Sequence, residues 1–171
     1  MPAGSPTSVS LIAANVPTPP APLRLHVTSD TANLAPVRQA AEAYARAAGF
    51  DDAAVGEIGL VLNEAMANVI RHAYANQPGR PIEVVGELVP PSEVPGAAAN
   101  GDTIALRIRL RDWGNGVDPR LAPKRGYVPG EPGGLGLVCL RQLMDQVDYA
   151  AQPDGGVLMT MIKSARRGEP R

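Results

Sequence analysis

A chain of 171 residues with 44 % apolar and 19 % charged side chains has the composition of one globular domain, and is short for two. Its net charge of −1 excludes a broad basic field for direct nucleic-acid or membrane binding. One cysteine, Cys139, and two histidines exclude an intrachain disulfide and a zinc site of the usual kind, and the cysteine count fits a reducing, cytoplasmic setting.

The first twenty residues, MPAGSPTSVSLIAANVPTPP, lack the basic start of a signal peptide, and residues 1–21 read as a flexible Pro/Ser-rich tail. No apolar run approaches the roughly 18 residues that cross a bilayer. LRLHV (23–27) alternates Leu23, Leu25 and Val27 with Arg24 and His26, the pattern of a half-buried strand. A helix follows, with Val37, Ala40, Ala41, Tyr44 and Ala48 on its apolar side. Ser29, Asp30, Thr31 and Asn33 are candidate caps, and Gly49 is a candidate stop. Asp51 and Asp52 can cap a longer helix over about 52–75, with Leu62, Ala65, Met66, Val69 and Ala73 as its stripe.

PIEVVGELV (81–89) and TIALRIRLR (103–111) read as strands joined by a long hairpin loop over 90–102. In the second strand Ile104, Leu106, Ile108 and Leu110 face one way, and Arg107, Arg109 and Arg111 the other, opposite Glu83 and Glu87. A sheet with one dry and one wet face is antiparallel in pattern. The Pro/Gly-rich stretch 118–133 has the length and composition of a lid. LGLVCLRQLMDQV is an amphipathic helix; VDYAAQ and VLMTMIK are closing strands, and 164–171 is a polar tail. The expected fold is α+β: a two-layer sandwich of a mostly antiparallel sheet with helices on one face.

Three stretches carry chemistry. Glu64, Asn68 and His72 recur one turn apart, so they share a helix side away from the apolar stripe. A carboxylate beside a carboxamide suits magnesium or a proton in transit, and equally an ordinary polar face. Asp112 ends the inward row of its strand, and Gly114 and Gly116 of DWGNG let backbone approach a ligand or simply turn. Gly133, Gly134 and Gly136 lead into a helix, an arrangement that presents N–H groups to phosphate; Lys124 and Arg125 precede it.

Taken in order, NEAMANVIRHAY, DWGNGVDP and GGLGLVCLRQLMDQVDY resemble the N box and two glycine boxes of the GHKL ATPase superfamily. The likeness is nearest to stand-alone anti-sigma factor serine/threonine kinases and covers about 22–163. It implies a Bergerat ATP-binding fold, with ATP and Mg2+ as cofactors. Glu64 would be the general base, Asn68 the magnesium ligand, and Asp112 the acceptor of the adenine amine. Gly114 and Gly116 would lie beside the base. Gly133, Gly134, Leu135, Gly136 and Leu137 would face the phosphates, with His72, Lys124 and Arg125 nearby. The implied partners are an anti-anti-sigma (STAS-type) phosphoacceptor, a sigma factor and a second copy of the chain. A non-catalytic ATP-binding module that sequesters a partner is the alternative. Val157 stands where the family often has threonine, Thr160 lies three residues on, and the 90–102 loop is longer than usual. The chain shows no phosphoacceptor-histidine helix pair of the sensor-kinase kind.

Overall fold

Alternation in the first strand pattern gives β1 (Leu23–Thr28), whose residues are by turns half-buried and exposed. The computed structural model describes residues 19–95, 103–115 and 140–167. Residues 1–18 of the expected 1–21 tail, the lid, the tip of the 90–102 loop and the start of the third helix lie outside the described residues.

A 3-10 turn (Thr31–Asn33) leads into α1 (Leu34–Ala48). Asn33 holds the N-cap position without capping the helix through its side chain. Its amide donates instead to the Thr28 carbonyl and hydroxyl, both at 3.0 Å. Gly49 closes α1 in the left-handed region, φ 95°, where a Cβ would be strained. Asp51 caps α2 (Asp52–Asn68) as expected, accepting from the Ala54 N–H at 2.8 Å. The helix then widens into a π turn (Val69–Ala73).

Together Asp52–Ala73 make one helix long and apolar enough to cross a membrane by length and composition, which corrects the expectation that no such run exists. Its apolar side is spent on the core. Val55, Ile58, Leu62, Ala65 and Met66 are fully buried in one cluster with Val37, Ala41 and Ala45 of α1.

The same cluster takes Ile82 and Val84 of β2 (Pro81–Val89), alternate residues of β3 (Thr103–Asp112), Tyr149 of β4 (Gln146–Ala151) and Met159 and Met161 of β5 (Val157–Arg166). The five strands form one antiparallel sheet in the order β1-β2-β3-β5-β4. The fold is thus α+β, with helices on one face of an open antiparallel sheet, as expected from the sequence.

The other face departs from the expected pattern in two places. Arg107 and Arg109 do pair with Glu87, at 3.1 and 3.0 Å, and Arg107 also meets Glu93 at 3.0 Å. Glu83, however, neighbours His26 at 3.7 Å, and Arg111 leaves the row for Asp154. At the other end of β3, Val89, Val94, Ala105 and Ile162 form a small buried cluster beside the 3-10 turn Pro91–Glu93, so this face is not wet throughout.

Residues 140–143 are helical, but the helix ends before Gln146 rather than at Val147. Val147 pairs with Met161 in the sheet, and that pairing overrides its helical spacing from Met144. β5 runs three residues beyond the expected Lys163. Ser164 is held there by Asp145, which accepts from its N–H at 2.5 Å and its hydroxyl at 2.6 Å.

Candidate functional site

The strand alternation that buries Leu110 also turns Asp112 inward, and Asp112 is only 5 % exposed. Its carboxylate accepts from the Gly114 N–H at 2.9 Å, and the Val157 N–H lies near enough to favour its charged form. Burial raises its pKa above the ordinary aspartate value; the two nearby N–H groups and the Arg111 charge oppose the rise without cancelling it. A buried acceptor of this kind has lone pairs left for a further donor.

Gly114 explains the first glycine of DWGNG. A Cβ there would stand 2.4 Å from the Ala73 carbonyl oxygen and 2.7 Å from its carbon, so the end of β3 lies directly on the π turn of α2. Tyr74 fastens the same junction. Its hydroxyl accepts from the Trp113 N–H at 2.8 Å and donates to the Pro81 carbonyl at 2.5 Å. Burial is the main reason its own pKa is raised. Past it, Ala75 and Asn76 adopt φ of 50° and 60°, an unusual pair for residues with a Cβ.

A cavity of about 590 Å³ opens at this junction, within the size range of small-molecule sites. His72, Ala73, Tyr74, Arg80, Trp113, Gly114 and Asn115 are among its lining residues. Asn68 and Glu64 are half-buried one and two turns back along α2, and His72 is exposed at the rim. Asn68 is not free: its side-chain oxygen accepts from Arg71 at 3.1 Å. Among the described residues no three His, Cys, Asp or Glu side chains gather around a potential metal position.

The structure therefore brings His72 and Gly114 to one cavity, with Asp112 buried beside it. Gly116, Lys124, Arg125, Gly133, Gly134, Leu135, Gly136 and Leu137 lie outside the described residues. Sequence reasoning missed Tyr74, Arg71 and Gly156. A Cβ on Gly156 would come within 2.1 Å of the Asp112 carbonyl oxygen. The paired glycines of PDGG were the available signal for Gly156. Tyr74 had none, since its partner Trp113 is 39 residues away.

Residues 27–163 match the model of the histidine kinase-like ATPase domain. No curated protein matches the chain. Among solved structures it is similar to the RsbU and RsbW domains of Rv1364c from Mycobacterium tuberculosis, with a TM-score of 0.56 and 18 % identity. That match covers 89 % of this chain and 35 % of the other, so the chain spans about a third of the solved protein it resembles. At this identity the likeness establishes shared architecture only. The family match spans most of the sequence and includes both the Asn68 helix and the Asp112 strand, and on it the chain belongs to the histidine kinase-like (GHKL) ATPase family.

Proposed function

We propose that the protein is an ATP-dependent serine/threonine kinase of the anti-sigma type, which phosphorylates an anti-anti-sigma partner and sequesters a sigma factor. The family match carries the ATP part of this reading. The buried carboxylate of Asp112 beside the bare backbone of Gly114 fits an adenine amine and ring. The RsbW domain in the similar structure supports the anti-sigma part.

In this reading Asp112 accepts from the adenine amine, and Asn68 offers its amide oxygen to magnesium after giving up its bond with Arg71. One protein oxygen suffices, because magnesium in nucleotide sites is held largely by phosphate and water. Magnesium would neutralise charge on the phosphates. Glu64, half-buried on α2, takes the proton in this reading. The acceptor hydroxyl oxygen bonds to the γ-phosphorus as the bond to the ADP oxygen breaks, and the hydroxyl proton passes to Glu64. Gly116, Lys124, Arg125 and the 133–137 segment would complete the phosphate end.

The test is transfer of labelled γ-phosphate to a STAS-type partner. Glu64→Ala should abolish transfer and leave nucleotide affinity nearly unchanged. ATP at a hundredfold excess over its dissociation constant should stabilise both proteins by about 2.7 kcal/mol. Equal turnover in the variant removes Glu64 from the mechanism. Nucleotide stabilisation with no transfer to any partner favours the alternative, a non-catalytic ATP-binding module, to which Val157 in the usual threonine position also leans.

A further inference from the structure

Arg111 belongs by alternation to the outer row of β3, yet it is only 8 % exposed. Its row-mates Arg107 and Arg109 pair along the β2–β3 hairpin and the turn that follows β2. Arg111 instead reaches the β4–β5 turn, 43 residues away. Its guanidinium donates to Asp154 Oδ1 at 2.8 Å, to the Gly155 carbonyl at 2.6 Å and to the Asp112 carbonyl. The same group stacks on Trp113, 4.5 Å from the ring centre. The Trp113 indole N–H then closes the ring by donating to Asp154 Oδ2 at 3.1 Å.

This ring holds the β4–β5 turn down on the end of β3. Gly156, at φ 71°, seats against the Asp112 carbonyl where no side chain fits. The next residue, Val157, keeps its N–H near the Asp112 carboxylate and favours the charged form, while the Gly114 N–H bonds it at 2.9 Å. Where the turn sits therefore sets how the Asp112 backbone, and with it the carboxylate, is placed towards a ligand. From this geometry we propose that Arg111 and Asp154 are positioning residues: they fix the Asp112 carboxylate so that it discriminates a purine bearing a 6-amine. The inference rests on the nucleotide reading above and extends it to base selectivity. Asp154, though exposed, is held below the ordinary aspartate pKa, chiefly by the Trp113 hydrogen bond, so it stays an acceptor at neutral pH.

The experiment compares dissociation constants for ATP and for purine riboside triphosphate, which lacks the amine. It uses the unmodified protein, Arg111→Met, Asp154→Ala, Asp112→Asn and the Arg111→Met/Asp112→Asn pair. Asp154 is exposed, so its variant keeps the test alive should Arg111→Met fail to fold. Misplacing one bond to a charged acceptor should narrow the preference for ATP by roughly tenfold in the Arg111 and Asp154 variants. The double variant should show no further narrowing than Asp112→Asn, because the residues act through one carboxylate. A variant that melts lower but keeps the full preference reduces the ring to a structural brace and overturns the proposal. Preference narrowed additively in the double variant overturns it too. If the unmodified protein binds neither nucleotide, the nucleotide reading falls and takes this inference with it. If it binds ATP selectively while both ring variants keep that selectivity, this inference alone falls.

Discussion

Glycine-to-alanine exchange at two positions separates close approach from ordinary helix preference. At Gly114 the new Cβ would lie 2.4 Å from the Ala73 carbonyl oxygen, 2.7 Å from its carbon and 2.8 Å from its Cβ. Two of these atoms are backbone and cannot rotate away, so the end of β3 must lift from the π turn. Overpacking of this kind costs about 1–3 kcal/mol. For a chain of this length each kcal/mol moves the melting temperature by about 2–4 °C, so Gly114→Ala should melt about 2–12 °C lower. At Gly56, exposed within α2, nothing lies within 4 Å of the added carbon. There alanine should raise stability by up to about 1 kcal/mol through helix preference alone. Thermal unfolding followed by circular dichroism reads both. The lifted strand should also weaken ATP binding in Gly114→Ala and leave it unchanged in Gly56→Ala. Shifts of the same sign in the two variants, or a Gly114→Ala protein that melts with the parent, would refute the backbone contact.

Tyr74→Phe should destabilise by about 1–3 kcal/mol in urea unfolding, because it removes two part-buried bonds at once, from the Trp113 N–H and to the Pro81 carbonyl. An unchanged midpoint would mean that water replaces the hydroxyl. The raised pKa of Asp112 predicts a pH dependence of the ligand-free protein. The folded state holds this proton more tightly than the unfolded chain does. The contribution is therefore fully present below the unfolded value of about 3.9 and is lost as pH rises through the folded value. The stability of the parent relative to Asp112→Asn should accordingly be greatest at the acid end and shrink towards neutrality. A gap that widens with pH would reverse the assignment.

Local pattern was enough to read β3 and the inward position of Asp112, because a two-residue period fixes which face each side chain takes once one face is buried. The Asp51 cap and the Gly49 stop were legible for the same reason: each acts within one turn of its own position. Contacts between distant segments were not. Val147 fits both the helical spacing from Met144 and the start of the strand VDYAAQ, and the pairing with Met161 decides for the strand. Arg111 looked like one more solvent arginine because Asp154 comes from another hairpin. At the candidate site the carboxylate, the glycine and the Asn68 helix could be named from the chain. The hydroxyl of Tyr74, which joins two of them, could not, since no spacing rule links residues 74 and 113.

The sheet order has a bearing on exchange with solvent deuterium. β3 is paired on both sides, by β2 and β5, whereas β1 and β4 each have a single neighbour. Amide protons of β3 should be among the slowest to exchange and those of the two edges among the fastest. The strand that ends in Asp112 is then the most persistent in the sheet, and the Trp113–Gly114 side of the cavity can stay formed while the edges open and close many times.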